Sequence, residues 1–125
     1  MKEIVDVIKK SLEIGKSDKV KFEEALDLID YMVFYTDIEG KIFYLNQAFA
    51  NFLGESKKNI IGKKEECFLG KRIRKDNKIA YEKGFLSKKD KFDGRIFEVF
   101  KSRIDFFNKG KVKIQIFTTI KVMDC

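Results

Sequence analysis

Few side chains in this sequence can carry covalent or metal chemistry, and their spacing narrows the field further. None of the 125 residues is His. That removes imidazole general bases, Ser-His-Asp and Cys-His nucleophile systems, His metal ligands, a phosphoacceptor His and a proximal-His haem ligand. The two Cys, Cys67 and Cys125, are too few for a disulfide framework or a thiolate cluster, so no metal site is expected. Glu65 and Glu66 are neighbours in sequence, and nothing marks them as an acid/base dyad. No Gly-rich phosphate loop is present. These absences argue against an enzyme. The basic residues form the other chemical feature: Lys57 to Lys91 holds 13 Lys+Arg against 5 Asp+Glu, so the net charge of +7 is regional and the rest of the chain is nearly neutral.

The elements that must position these groups are marked out by eight Gly, because the chain has no Pro. Ile4, Ile8 and Leu12 recur at helical spacing before Gly15, which predicts an amphipathic helix over 1–16 ahead of a domain over 17–125. A second helix capped by Ser17 or Asp18 carries Phe22, Leu26 and Ile29 on one face. Met32 to Thr36 and Lys41 to Leu45 read as paired strands around the turn Asp37-Ile38-Glu39-Gly40. Asn46 caps a short helix with Phe49, Phe52 and Leu53 on its apolar side, and Ser56 to Ile61 forms another. Lys71 to Lys83 reads as a basic helix with Ile73, Ala80 and Tyr81 on one side. The period then changes. Phe85 to Phe92, Arg95 to Phe107 and Lys111 to Ile120 are strands joined at Asp93-Gly94 and Asn108-Lys109-Gly110. This order predicts an α+β fold with a five-stranded antiparallel sheet and short helices mainly on one face, preceded by the amphipathic helix. Thirteen Phe make its core aromatic.

At this point the residues resemble the PAS sensor domain family. Tyr35 to Phe49 is similar to that family's first hairpin, with Asp37, Gly40 and Asn46 at its spacing. Phe52-Leu53-Gly54 and Ile60-Ile61-Gly62-Lys63 resemble the helix ends that follow, and Asp93 to Val99 with Gly110-Lys111-Val112 resembles the last turns and strands. The resemblance spans about residues 22 to 120. Thr119-Ile120-Lys121 stands where the family usually closes with Asp-Ile-Thr. What the resemblance implies is sensing or partner binding: a small molecule held between sheet and helices, or dimerisation, biasing an attached output module. A ligand does this by binding two conformations unequally.

Phe97, Val99, Lys101 and Arg103 share one face of their strand, as do Gln115 and Phe117 with Lys113 on the next. With Phe49, Phe52 and Tyr81 from the helices, they are the candidate pocket residues, and Lys101, Arg103 and Gln115 would give the cavity a cationic, amide-bearing end suited to a carboxylate or phosphate. The opposite parity puts Ile96, Phe100 and Ile104 with Val112, Ile114 and Ile116 inward and the charged set in water. Cys67 in Glu66-Cys67-Phe68-Leu69-Gly70 partly resembles the flavin-reactive Cys of the family's light-oxygen-voltage branch, but the flanking Asn, Arg and Gln are absent, and a buried, unreactive Cys67 is the preferred reading. The family's haem sensors use His, so haem is disfavoured, and Met32 and Met123 are read as core filling. Asp37 and Asn46 serve the fold.

The sequence therefore implies a sensory and dimerisation module of a cytoplasmic signal-transduction or transcription-control protein, of the kind found in two-component systems. Its ligand and output module are unspecified, and Ile4, Ile8 and Leu12 form the expected homodimer contact. The alternatives are a flavin photosensor or redox sensor using Cys67, and a basic nucleic-acid-binding domain, disfavoured because Lys dominates over Arg and no recognition helix appears. Charges interrupt Met1 to Ile14, which argues against an export signal, and no apolar stretch approaches the roughly 20 residues of a membrane span.

Overall fold

A computed structural model describes residues 23–92 and 94–123. The expected N-terminal helix with Ile4, Ile8 and Leu12, and Phe22 of the second helix, lie outside the described residues. Five strands form one antiparallel sheet: β1 (Met32–Thr36), β2 (Ile42–Leu45), β3 (Phe85–Phe92), β4 (Arg95–Asn108) and β5 (Lys111–Val122), in the order β2-β1-β5-β4-β3. Between β2 and β3 the chain makes four helices, α1 (Gln47–Leu53), α2 (Lys57–Ile60), α3 (Glu66–Leu69) and α4 (Ile73–Lys83). The expected α+β fold is the observed one.

Local chemistry explains the elements. Asp37 Oδ1 accepts from the backbone N–H groups of Glu39 and Lys41, both at 2.9 Å, and so ties the β1–β2 turn that Gly40 completes at φ +91°. Asn46 caps α1 by accepting from Phe49 N–H. Its side chain does more than cap. Fully buried, it also accepts from Val33 N–H and donates to the carbonyls of Leu26 and Tyr31, fastening α1, β1 and the segment before β1 to one amide.

The sheet is covered on both faces. On the helix side, Met32, Phe34, Ile42, Leu45, Phe49, Ala50, Ile60, Phe97, Val99 and Ile120 form a continuous apolar core, with the Phe34 and Phe49 rings stacked at 4.4 Å. Burying each such ring contributes about 1.5–3 kcal/mol. On the other side, Leu26, Ile29 and Tyr31 pack with Val33, Tyr35, Tyr44, Phe100, Ile104 and Phe117. β5 lies between these layers, and Ile116 to Ile120 are buried without alternation, as a central strand covered on both faces requires.

Three details differ from the sequence reading. The second helix ends near Leu26, so Ile29 packs from a turn rather than from the helix face. In α4 the buried positions are Ile73, Asp76, Asn77 and Ala80, whereas Tyr81 is 36% exposed. The buried stripe of this helix thus carries two polar residues that helical periodicity in apolar residues does not reveal.

The third correction concerns β4 and β5. Asn108 pairs with Lys111 across the two-residue turn Lys109-Gly110, both at positive φ. From that pair onward, odd-numbered residues of β4 face even-numbered residues of β5: Val99 opposes Ile120, Lys101 opposes Thr118, and Arg103 opposes Ile116. Directly paired residues share a face. Phe97, Val99, Lys101 and Arg103 face the helices, but Gln115 and Phe117 point to the other side, with Ile104 and Tyr35. The expected grouping of these two residues with Lys101 is therefore wrong by one position in register.

Candidate functional site

A cavity of about 70 Å³ lies between the sheet and the helices. Its floor is the sheet: Met32 of β1, Ile120 of β5, and Phe97 and Val99 of β4. Phe52 of α1 with Phe68 and Leu69 of α3 supply the helical wall, and Ile73 opens the next one. Two charged residues complete the lining, Arg72 just before α4 and Asp90 on β3, opposite Phe97. The chamber suits a small apolar body with one polar end. Phe52, Phe97 and Val99, all named from the sequence, do meet here. Phe49 lies in the core beneath, stacked on Phe34.

The remaining candidates separate. Tyr81 and Arg103 meet at the far end of α4, where the guanidinium lies 4.5 Å from the ring centroid and donates to the Tyr81 carbonyl. Arg103 also pairs with Asp105 at 2.7 Å, on the surface and away from the cavity. Cys67 is exposed, which corrects the expectation of a buried thiol. The cavity contacts from its helix are Phe68 and Leu69. A four-residue helix presents one side inward, and the register chosen by Phe68 and Leu69 turns Cys67 outward.

Lys101 has an environment that is rare for an ammonium group. Its side chain is wholly buried, and its ammonium donates to Glu65 Oε1 at 2.8 Å and to Thr118 Oγ1 at 2.9 Å, with the Phe34 ring centroid 5.6 Å away. The second Glu65 oxygen accepts from Asn77 Nδ2 at 3.0 Å. Asn77 Oδ1 is buried with no hydrogen-bond partner. Burial pushes the Lys101 ammonium below its usual range, opposed by the Glu65 carboxylate. The turn before β2 closes the cluster: Glu65 N–H donates to Gly40 O at 2.8 Å, and a Cβ on Gly40 would stand 3.4–3.5 Å from Asn77 and Glu65.

Sequence reasoning named Lys101 but missed Glu65, Asn77 and Thr118. Glu65 looked like half of a solvated pair, yet α3 turns Glu65 inward and leaves Glu66 to bind Arg74. The register of the last hairpin, readable from its turn, would have pointed to Thr118. In the basic region, Lys57 pairs with Asp27 and Lys88 with Asp76, while Lys71, Lys75, Lys78 and Lys83 remain exposed around α4.

A family model described as PAS domain matches residues 20–85. No curated protein matches the sequence. Among solved structures, the chain is similar to a domain of an HTR-like protein from Haloarcula marismortui, with a TM-score of 0.64 at 12% identity over 77% of this chain and 100% of that one. It is also similar to the PAS domain of Bordetella pertussis BvgS, with a TM-score of 0.57 at 20% identity over 86% and 88%. A sensory box sensor histidine kinase from Vibrio cholerae gives a TM-score of 0.61 at 10% identity over 87% and 94%. With a single antiparallel sheet enclosing a small chamber beneath short helices, and with the family model spanning more than half of its length, the chain belongs to the PAS domain family, a family of sensory signalling modules.

Proposed function

We propose that this domain is the ligand-sensing and dimerising part of a cytoplasmic signal-transduction or transcription-regulatory protein. It holds a small, largely apolar molecule between sheet and helices and passes occupancy to an output module. The cavity carries this reading. Its walls come from β1, β3, β4, β5, α1, α3 and the start of α4, so one small molecule there would touch four strands and three helices at once. Arg72 and Asp90 offer opposite charges to a polar end group. Binding that favours one arrangement of these walls shifts the population toward it.

The homodimer contact belongs to Ile4, Ile8 and Leu12, whose apolar stripe needs a covering surface. The exposed position of Cys67 supports a mechanism without a thiol adduct in the cavity. Among the described residues no helix is long and apolar enough to cross a membrane. Native mass spectrometry of freshly purified protein tests the proposal: a dimer that retains, or takes up from a panel of small apolar acids, amides and alcohols, one molecule per chain supports it. A monomer that takes up none refutes it.

A further inference from the structure

The buried Lys101 cluster lies on the same walls as the cavity. Along β4, Lys101 is two residues beyond the cavity-lining Val99, and Thr118 is two residues from the cavity-lining Ile120. Two residues of strand span about 7 Å. On α4, Asn77 is one turn beyond the cavity-lining Ile73. The polar cluster is thus the next layer of residues on the same strands and helix, just outside the cavity lining, and a carboxylate already sits in it. That carboxylate is Glu65, held by an ammonium, a carboxamide and the Gly40 turn.

We propose that Lys101, Asn77 and Thr118 form a carboxylate-binding subsite that Glu65 occupies in the ligand-free state. A short monocarboxylic acid replaces it, its head group on Lys101 and its apolar tail in the cavity. This rests on the reading of the cavity as the ligand site. Lys101 supplies the charge, the Thr118 hydroxyl stands within reach of its ammonium, and Asn77 Nδ2, which now donates to Glu65, is the second donor the head group would take over. Glu65 can leave because the α3 that follows it is only four residues long and closes at Gly70, which stands at φ +90°. The same helix carries Phe68 and Leu69 into the cavity. A tail that pushes on these two side chains therefore loosens Glu65, and a head group that takes Lys101 frees α3. Occupancy becomes a displacement of α3 and of its hydrogen bond to the β1–β2 turn.

The experiment removes the internal carboxylate and offers an external one. Thermal unfolding of Glu65→Ala is followed with sodium acetate, sodium butyrate, acetamide and butyramide, with sodium chloride fixing ionic strength. The expected result is a saturable rise in Tm with the acids, absent with the amides and absent in Glu65→Ala/Lys101→Met. Butyrate should bind about tenfold more tightly than acetate, from two more buried methylene groups. A folded Glu65→Ala that answers acids and amides alike overturns the proposal. If Glu65→Ala does not fold, Glu65→Gln keeps the side-chain shape; calorimetry should give it at least about tenfold tighter butyrate binding than the native chain, and equal affinities overturn the proposal. Butyrate and butyramide binding equally, and both lost in Val99→Phe, would retain the cavity and refute the subsite. Acetate rescue with no gain from a longer tail would retain the subsite and refute the cavity.

Discussion

Replacing Lys101 with Met keeps the length of the side chain and removes its charge, leaving the Glu65 carboxylate buried with only the Asn77 amide. At the observed 2.8 Å, the attraction between the two charges is about 6 kcal/mol for an effective dielectric near 20, and most of it is spent on removing both ions from water. The intact pair therefore adds little net stability, whereas breaking it costs about 3–5 kcal/mol. Glu65→Gln/Lys101→Met removes both charges and should recover most of the native stability. Urea unfolding monitored by circular dichroism at pH 7 measures all three chains, and the single variant should lose about 3–5 kcal/mol. A Lys101→Met deficit below about 1 kcal/mol, or a double variant no more stable than the single one, would refute the buried-pair reasoning.

Other expectations follow from single contacts. Asn46→Ala removes four hydrogen bonds at once and strands buried backbone groups of Val33, Phe49, Leu26 and Tyr31; a loss of about 2–4 kcal/mol in urea unfolding is expected. The hydroxyls of Tyr35 and Tyr44 are held above the usual phenol range, first by burial and then, for Tyr35, by its hydrogen bond to Glu23 and, for Tyr44, by the nearby Asp27. The folded state keeps these protons while the unfolded chain loses them above its ordinary value near 10, so stability is intact below about pH 10 and falls above it, by roughly 1.4 kcal/mol per tyrosine at pH 11. Tyr35→Phe should remove one such increment from the alkaline slope. In a Cys125→Ser background the exposed Cys67 should react with a thiol reagent in the folded protein at a rate close to that of the urea-unfolded chain, and protection by more than about a hundredfold would contradict its placement outside the core.

Much of this architecture was legible because it is written in local signals. Gly40 and the Asp37 side chain announce the first turn, Asn46 announces α1, and the change from helical to alternating period at Gly84 announces the three long strands. The pocket was half legible. Phe52, Phe97 and Val99 were recognisable as apolar residues on the right faces, but the partner strand was read one position out of register, which placed Gln115 and Phe117 on the wrong side. The turn at Lys109-Gly110 contained the correction, since a two-residue hairpin pairs odd with even positions.

What the amino-acid sequence determined by itself was the element order, the fold class and the absence of imidazole chemistry, because propensity, periodicity and residue type act over a few neighbours. What only the tertiary structure decided was which charges leave water. Glu65 and Lys101 are separated by 36 positions, and both resemble solvated surface residues of a basic, helical region and a charged strand. Their burial depends on α3 turning Glu65 toward a strand that lies later in the chain, and on Asn77 and Thr118 arriving from two further elements. A charge is tolerated in a core only when its partners converge on it, and convergence is a property of the packed chain.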